Sequence, residues 1–165
     1  MKRATVVIGA NFGDEGKGLM VDYFADQHRP ATVVRFNGGA QAGHTVVTPQ
    51  GQRHVFHHFG AGALAGADTF LSRFFVANPV LWSRERLELR GFFGDGTTGN
   101  LIADPQAPLT TPYDMIVNQE VENARSGCRH GSCGVGINET IVRNATRYTT
   151  TVADVQRPGD LREKL

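Results

Sequence analysis

Three kinds of chemistry crowd into one short run. Gly13-Asp14-Glu15-Gly16-Lys17-Gly18 packs three glycines, two carboxylates and a lysine into consecutive positions. Glycines let a backbone approach a polyphosphate and turn its N–H groups inward, and Lys17 adds a mobile positive charge. The carboxylates are the unusual part. An acid beside a phosphate repels it unless the acid holds a metal ion or takes a proton from a substrate. The run is not a Walker A loop, which needs glycine at 11 and Ser or Thr at 18 where this chain has Asn11 and Gly18. Nor does it fit G-x-G-x-x-G. Its bland alternative is a solvent-facing turn with a chance charge pair. A second run, Asn37-Gly38-Gly39-Ala40-Gln41-Ala42-Gly43-His44-Thr45, leaves room for a ligand against the main chain. It closes on His44, an imidazole suited to general acid work near neutral pH. Cys128 and Cys133 flank His130, but three ligands in one short stretch without a fourth fall short of a zinc site.

The elements around these runs point to an α/β fold. Ala4–Ile8 is short, β-branched and uncharged, the pattern of a buried strand. Residues 17–27 place Leu19, Met20, Tyr23 and Phe24 on one helical face, with Asp22 and Asp26 elsewhere. The first glycine run therefore lies between a strand and a helix, where the helix brings its positive end to an anion. Ala31–Phe36 reads as a second strand, followed by the second glycine run. In open α/β sheets ligands collect at the carboxyl ends of strands. Thr45–Thr48 and Arg53–His58 read as a hairpin about Pro49–Gln52. Thr69–Val76 and Leu101–Ala103 read as strands, and Pro79–Leu89 as a helix with proline in its first turn. Residues 111–125 put Tyr113, Ile116, Val117, Val121 and Ala124 on one helical face. The expected architecture is a mostly parallel sheet core with flanking helices and a β-hairpin, a P-loop-like nucleotide-binding fold.

Composition bounds the function classes. The 165 residues fit one domain, and 40% hydrophobic with 20% charged is ordinary for a globular protein. The formal net charge of +1 argues against a protein that wraps nucleic acid. No run of roughly 18 or more apolar residues is present, so no membrane helix is expected. The opening Met1-Lys2-Arg3 and the apolar residues after it stop at Asn11 without a small-residue cleavage pattern, so a cytoplasmic protein is expected. Glycines cluster at 9–18, 38–43, 60–66, 91–99 and 127–136.

The two runs together resemble the N-terminal signatures of adenylosuccinate synthetases: GDEGKG at 13–18 with Val21-Asp22, then RFNGGAQAGHTV at 35–46. HHFGAGAL at 57–64, TPYD at 111–114 and GSCGVGI at 131–137 resemble later segments of the same family, and Arg147 falls where its pattern has an arginine. The resemblance covers nearly the whole chain but only the N-terminal part of the longer family enzymes. Residues 1–165 are therefore expected to be an incomplete portion of one synthetase catalytic domain.

The resemblance implies a ligase that joins L-aspartate to a purine monophosphate at the expense of ATP or GTP. The base's O6 takes the γ-phosphate and the aspartate amine displaces it. It implies Asp14 as the base that removes the N1 proton and, with the Gly43 carbonyl, as a Mg²⁺ ligand. His44 assists departure of the nucleoside diphosphate. Gly13, Glu15, Gly16, Lys17, Gly18, Gly43, His44 and Thr45 would hold the triphosphate, with Lys17 catalytic as well. Asp14, Gln41, Ala42, Ser132, Cys133 and Arg147 would hold the monophosphate. Arg147 would act across a homodimer interface; its bland alternative is a solvated surface arginine.

Several positions depart from the family's usual pattern. Gln41 stands for its Asn, Cys133 for a Thr, Val135 for an Arg, and Asn138-Glu139-Thr140 for Gly-Pro-Ala. A Thr-to-Cys change trades a strong hydrogen-bonding group for a weak one. This pattern resembles the phage branch, which acts on dGMP to make the precursor of 2-aminoadenine, in the host cytoplasm. That branch often has serine in place of the loop aspartate, and Asp14 remains here. An IMP enzyme, a nucleotide-binding module without turnover and an unrelated phosphate-loop hydrolase stay open beside it.

Overall fold

The computed structural model describes residues 3–93 and 99–164. The middle of the fourth glycine cluster, 94–98, lies outside the described residues. Among the described residues, five strands and six helices follow in chain order: α1 Lys17–Gln27, β1 Thr32–Gly39, β2 His44–Val47, β3 Arg53–Phe56, β4 Asp68–Val76, α2 Pro79–Phe93, β5 Leu101–Ala103, α3 Pro112–Ala124, α4 Ile137–Asn144, α5 Val152–Val155 and α6 Pro158–Lys164, with 3-10 turns at Ala61–Ala65, called the 3-10 turn below, and at Ser126–Cys128.

β1, β4 and β5 form a parallel sheet in the order β1-β4-β5. The expected α/β class with a parallel core holds. β2 and β3 form the expected antiparallel hairpin, closed by hydrogen bonds between Thr48 and Gln52 and from the Gly51 N–H to the Thr48 carbonyl. β1 runs through Gly38 and Gly39, so the second glycine run begins as strand rather than loop.

Two apolar clusters hold these layers. Val46, Phe56, Phe59 and Leu89 pack where the hairpin, the 3-10 turn and α2 meet. Leu71, Phe75 and Leu109 pack against the sheet with Ala77. Each such buried side chain contributes roughly 1.5–3 kcal/mol. α3 starts at a capping box: the Thr111 hydroxyl accepts the Asp114 N–H, and the Asp114 carboxylate accepts the Thr111 N–H at 2.7 Å. Pro112 sits at its first turn, where no N–H is needed.

Three expectations are corrected. Ala4–Ile8 is not a strand; Val6 and Ile8 are each 82% exposed. A strand exists only with a ladder partner, and no described strand pairs with this segment. On α1 the inward face is Gly18, Val21 and Ala25, while Leu19, Met20 and Tyr23 are exposed. The 3-10 turn explains the choice, because it presses so close that a Cβ on Gly62 would meet the Cβ of Ala25 at 2.4 Å.

The third correction is the largest. α3 buries its polar face, Asp114, Asn118 and Glu122, and exposes Tyr113, Ile116, Val117 and Val121. The polar face is held by charge. Arg143 of α4 donates to both Asp114 oxygens at 2.8 Å, and to the carbonyls of Leu109 and Tyr148 at 2.8 and 2.7 Å. These contacts pull the Asp114 carboxyl below its ordinary range although burial alone would raise it. Among the described residues no helix is long and apolar enough to cross a membrane.

Candidate active site

The first glycine run caps α1, and the second spans the carboxyl end of β1 and leads into β2. They touch directly. Gly18 is buried in the first turn of α1, and a Cβ there would lie 2.9 Å from the His44 Cβ and 3.2 Å from its main chain. Only glycine allows that approach. The glycine stretch at 131–137 joins from the other side. A Cβ on Gly39 would lie 2.5 Å from the Ile137 side chain and 3.1 Å from the Gln41 amide oxygen. Asn78, just past the end of β4, donates to the Val135 carbonyl at 3.4 Å. Three separated stretches of sequence thus meet beyond the strand ends.

Within the first run, Asp14 is exposed and adopts φ 53°, a left-handed conformation that Asp tolerates better than most residues. Among the described residues its carboxylate takes no hydrogen bond or ion pair. Glu15 behaves differently. It pairs with Lys17 and accepts the Asn11 N–H, and these contacts draw its carboxyl below the ordinary value. Lys17 is therefore already engaged by its own loop. An open carboxylate such as Asp14 offers hard oxygen donors, the type Mg²⁺ prefers.

His44 begins β2 opposite Phe56. Burial, then the positive charges of Arg35 and Lys17 and the neighbouring His57, push its pKa down to about 4. At neutral pH the ring is uncharged, so what it can offer is an N–H donor rather than an imidazolium. The unfolded imidazole protonates near 6.5 and the folded one only near 4. Its contribution to stability is thus complete above pH 6.5 and drains away as pH falls towards 4. Urea unfolding across that range should show falling stability, and His44→Gln should flatten the fall between pH 6.5 and 5. An equally steep fall in the variant removes His44 as the cause.

Gln41 and Ala42 occupy the turn between β1 and β2, where the Ala42 N–H donates to the Gly39 carbonyl at 3.2 Å. Thr45 pairs with Val55 in the hairpin. Ser132 and Cys133 line a cleft of about 350 Å³ with Gln119, Glu122, Asn123, Arg129, Gly131 and Gly134. Glu122 shapes its wall by accepting the N–H groups of His130 and Gly131 at 3.3 and 3.0 Å. Arg147 stands apart from these loops' contacts; it is exposed past the end of α4 and lies over the Tyr148 ring at 4.8 Å.

Sequence reasoning missed the residues that hold the loops. Glu85 is buried and accepts the N–H groups of His57 and His58 at 2.9 and 2.7 Å. The imidazoles of His54 and His58 stand 3.7 and 3.5 Å from its oxygens. Burial works to raise its pKa, but the imidazoles and the two N–H donors outweigh it and hold the carboxyl at about 2. A signal was present: Leu81, Glu85 and Leu89 are spaced four apart on α2, so a charge sits in the apolar stripe. Arg143 carried no such signal.

A parallel α/β sheet with glycine loops gathered beyond its strand ends defines a nucleotide-binding class of site. The chain matches the family model of adenylosuccinate synthetase over residues 6–165. It is 36% identical over 166 residues to the adenylosuccinate synthetase of Neisseria gonorrhoeae and 36% identical over 165 residues to that of Mycobacterium leprae. These matches take in 100% and 98% of the chain, but 38% and 37% of the relatives' length. Among solved structures it is similar to the fully ligated adenylosuccinate synthetase of Plasmodium falciparum. That match has TM-score 0.79 and 23% identity, over 94% of this chain and 36% of the other. It is also similar to the cyanophage S-2L succinoaminodeoxyadenylate synthetase bound to dGMP and dATP, with TM-score 0.68 and 20% identity, over 92% and 41%. This chain belongs to the adenylosuccinate synthetase family of C–N ligases.

Proposed function

We propose that this chain supplies the phosphate-handling loops of a ligase that joins L-aspartate to C6 of dGMP, driven by ATP or GTP, to give 2-amino-2'-deoxyadenylosuccinate. The observation that carries the reading is the meeting of the three glycine loops, through Gly18 on His44 and Gly39 on Ile137. Asp14, open to its surroundings, takes the N1 proton so that O6 can attack the γ-phosphate. With the Gly43 carbonyl it would hold Mg²⁺, which when bound offsets charge on the phosphates. Gly13, Glu15, Gly16, Lys17, Gly18 and Thr45 line the triphosphate. Neutral His44 hydrogen-bonds the departing diphosphate. Gln41, Ala42, Ser132 and Cys133 face the monophosphate. The preference for dGMP rests on Gln41, Cys133, Val135 and Asn138-Glu139-Thr140, which depart from the usual family pattern. The setting would be the cytoplasm, the host's if the protein is phage-encoded.

A second reading, IMP as acceptor, is favoured by one residue: Asp14 stands where the phage branch often has serine. The test supplies the natural polypeptide with dGMP or IMP, L-aspartate, Mg²⁺ and ATP or GTP, and looks for the succinylated nucleotide. Product from dGMP is expected. Product from IMP alone selects the second reading, and triphosphate binding without product leaves a binding module.

The reading also includes a homodimer. Tyr113, Ile116, Val117 and Val121 of α3 lie exposed, as do Ile141 and Val142 of α4, and the α3 stripe is an apolar face of the kind that marks association. From this face Arg147 would reach the partner's nucleotide. Sedimentation should give a dimer, and Val117→Glu, which sets a charge in the face, should give a monomer. A wild-type monomer at micromolar concentration overturns the dimer.

A further inference from the structure

We infer that His57 is a positioning residue for the loop that carries Gly43 and His44, and that Glu85 anchors it. The inference rests on the reading that this loop meets the triphosphate, but its geometry stands independently. The His57 Nδ1 lies 2.9 Å from the Ala40 carbonyl and 3.2 Å from the Ala42 carbonyl. Carbonyl oxygens only accept, so Nδ1 carries the proton and donates to both. The peptide unit is planar, with its C=O and the next N–H pointing in opposite directions. Fixing the Ala40 and Ala42 oxygens therefore fixes the direction of the Gln41 and Gly43 N–H groups, away from His57. One imidazole thus orients two peptide units of the loop, and with them the residue that precedes His44.

The ring is itself held in place. Both oxygens of Glu85 are engaged by consecutive backbone donors, the N–H groups of His57 and His58. The His58 ring is fixed as well, since its Nε2 accepts the Asn78 N–H at 3.0 Å. That bond ties the start of α2, which Asn78 precedes, to the same strip of chain. A carboxylate on α2 therefore sets the backbone of residues 57 and 58, and His57 passes that placement to the loop after β1. Both act on the main chain of other residues, Glu85 on His57 and His58 and His57 on Ala40 and Ala42, which is the work of positioning residues.

The test compares His57→Asn, whose amide nitrogen stands at the same bond distance as Nδ1, with His57→Gln and His57→Phe, which cannot place a donor there. Two readouts are taken on the natural polypeptide: hydrogen–deuterium exchange of the 39–44 segment, and the Kd for Mg²⁺ with a non-hydrolysable ATP analogue. His57→Phe and His57→Gln should speed exchange in 39–44 about tenfold or more while the sheet stays protected, and weaken the analogue by a similar factor. His57→Asn should restore both towards wild type. Equal behaviour of the Asn and Gln variants, or loosening spread evenly over the whole fold, overturns the inference. If the wild type binds no triphosphate but exchange in 39–44 still follows the donor, the positioning role stands and the triphosphate reading falls. His57→Gln keeps the comparison intact should His57→Phe not fold.

Discussion

Asp14→Asn should abolish succinylation by ~10²–10⁴-fold, the range for loss of a general base, while the Kd for the triphosphate stays within a few-fold. The asparagine preserves size and the left-handed backbone at φ 53°, so the loop keeps its shape. What it lacks is a lone pair basic enough to take the N1 proton. The split is informative because Asp14 makes no internal contact among the described residues whose loss would also disturb folding. Steady-state rates with dGMP and IMP, beside calorimetric binding of a triphosphate analogue, measure the two effects separately. Undiminished turnover would remove Asp14 from the base role and shift attention to a residue outside this chain.

Glu85→Gln should cost ~2–5 kcal/mol of folding stability at pH 7. The carboxylate offers an acceptor oxygen to each of two N–H groups. An amide offers one oxygen and turns its own donors towards the other N–H, leaving a buried donor facing a donor. The pH dependence follows from the same contacts. The unfolded carboxyl titrates near 4.5 and the folded one at about 2. Its contribution is thus fully present above pH 4.5 and is lost as pH falls towards 2. Urea unfolding at pH 7 and pH 3 should show a difference between wild type and variant that shrinks in acid. A penalty below about 0.5 kcal/mol, the scale of a surface change, would mean that Glu85 does not hold the His57–His58 strip.

Much of the fold was legible because its signals are local. Thr32–Val34, the Pro49–Gln52 turn and the Thr111-Pro112 helix start each announce themselves within a few residues. The glycine runs stood out for the same reason, and Gly18 and Gly39 do sit at close approaches. What failed depends on distant partners. Ala4–Ile8 has the composition of a strand, but composition supplies no ladder. α3 has a clear apolar stripe, yet periodicity says only that two faces differ, not which one turns inward. That choice is made by Arg143, whose partners Asp114 and Leu109 lie 29 and 34 residues away along the chain. Glu85 and His57 were missed for a related reason: each works through another residue's main chain, and the charge that Glu85 sets in the apolar stripe of α2 does not say what it holds.

The inverted polarity of α3 ties together two properties that most proteins keep apart. Because the Asp114–Arg143 pair fixes the helix's rotation from within, it also fixes the compass bearing of the greasy stripe on the outside. Disturbing that pair would turn the stripe and tilt the Ser132–Arg147 stretch in one stroke. In the proposed dimer, subunit pairing and ligand recognition would therefore drift together under mutation, and a lineage altering one through this ion pair would inherit a change in the other.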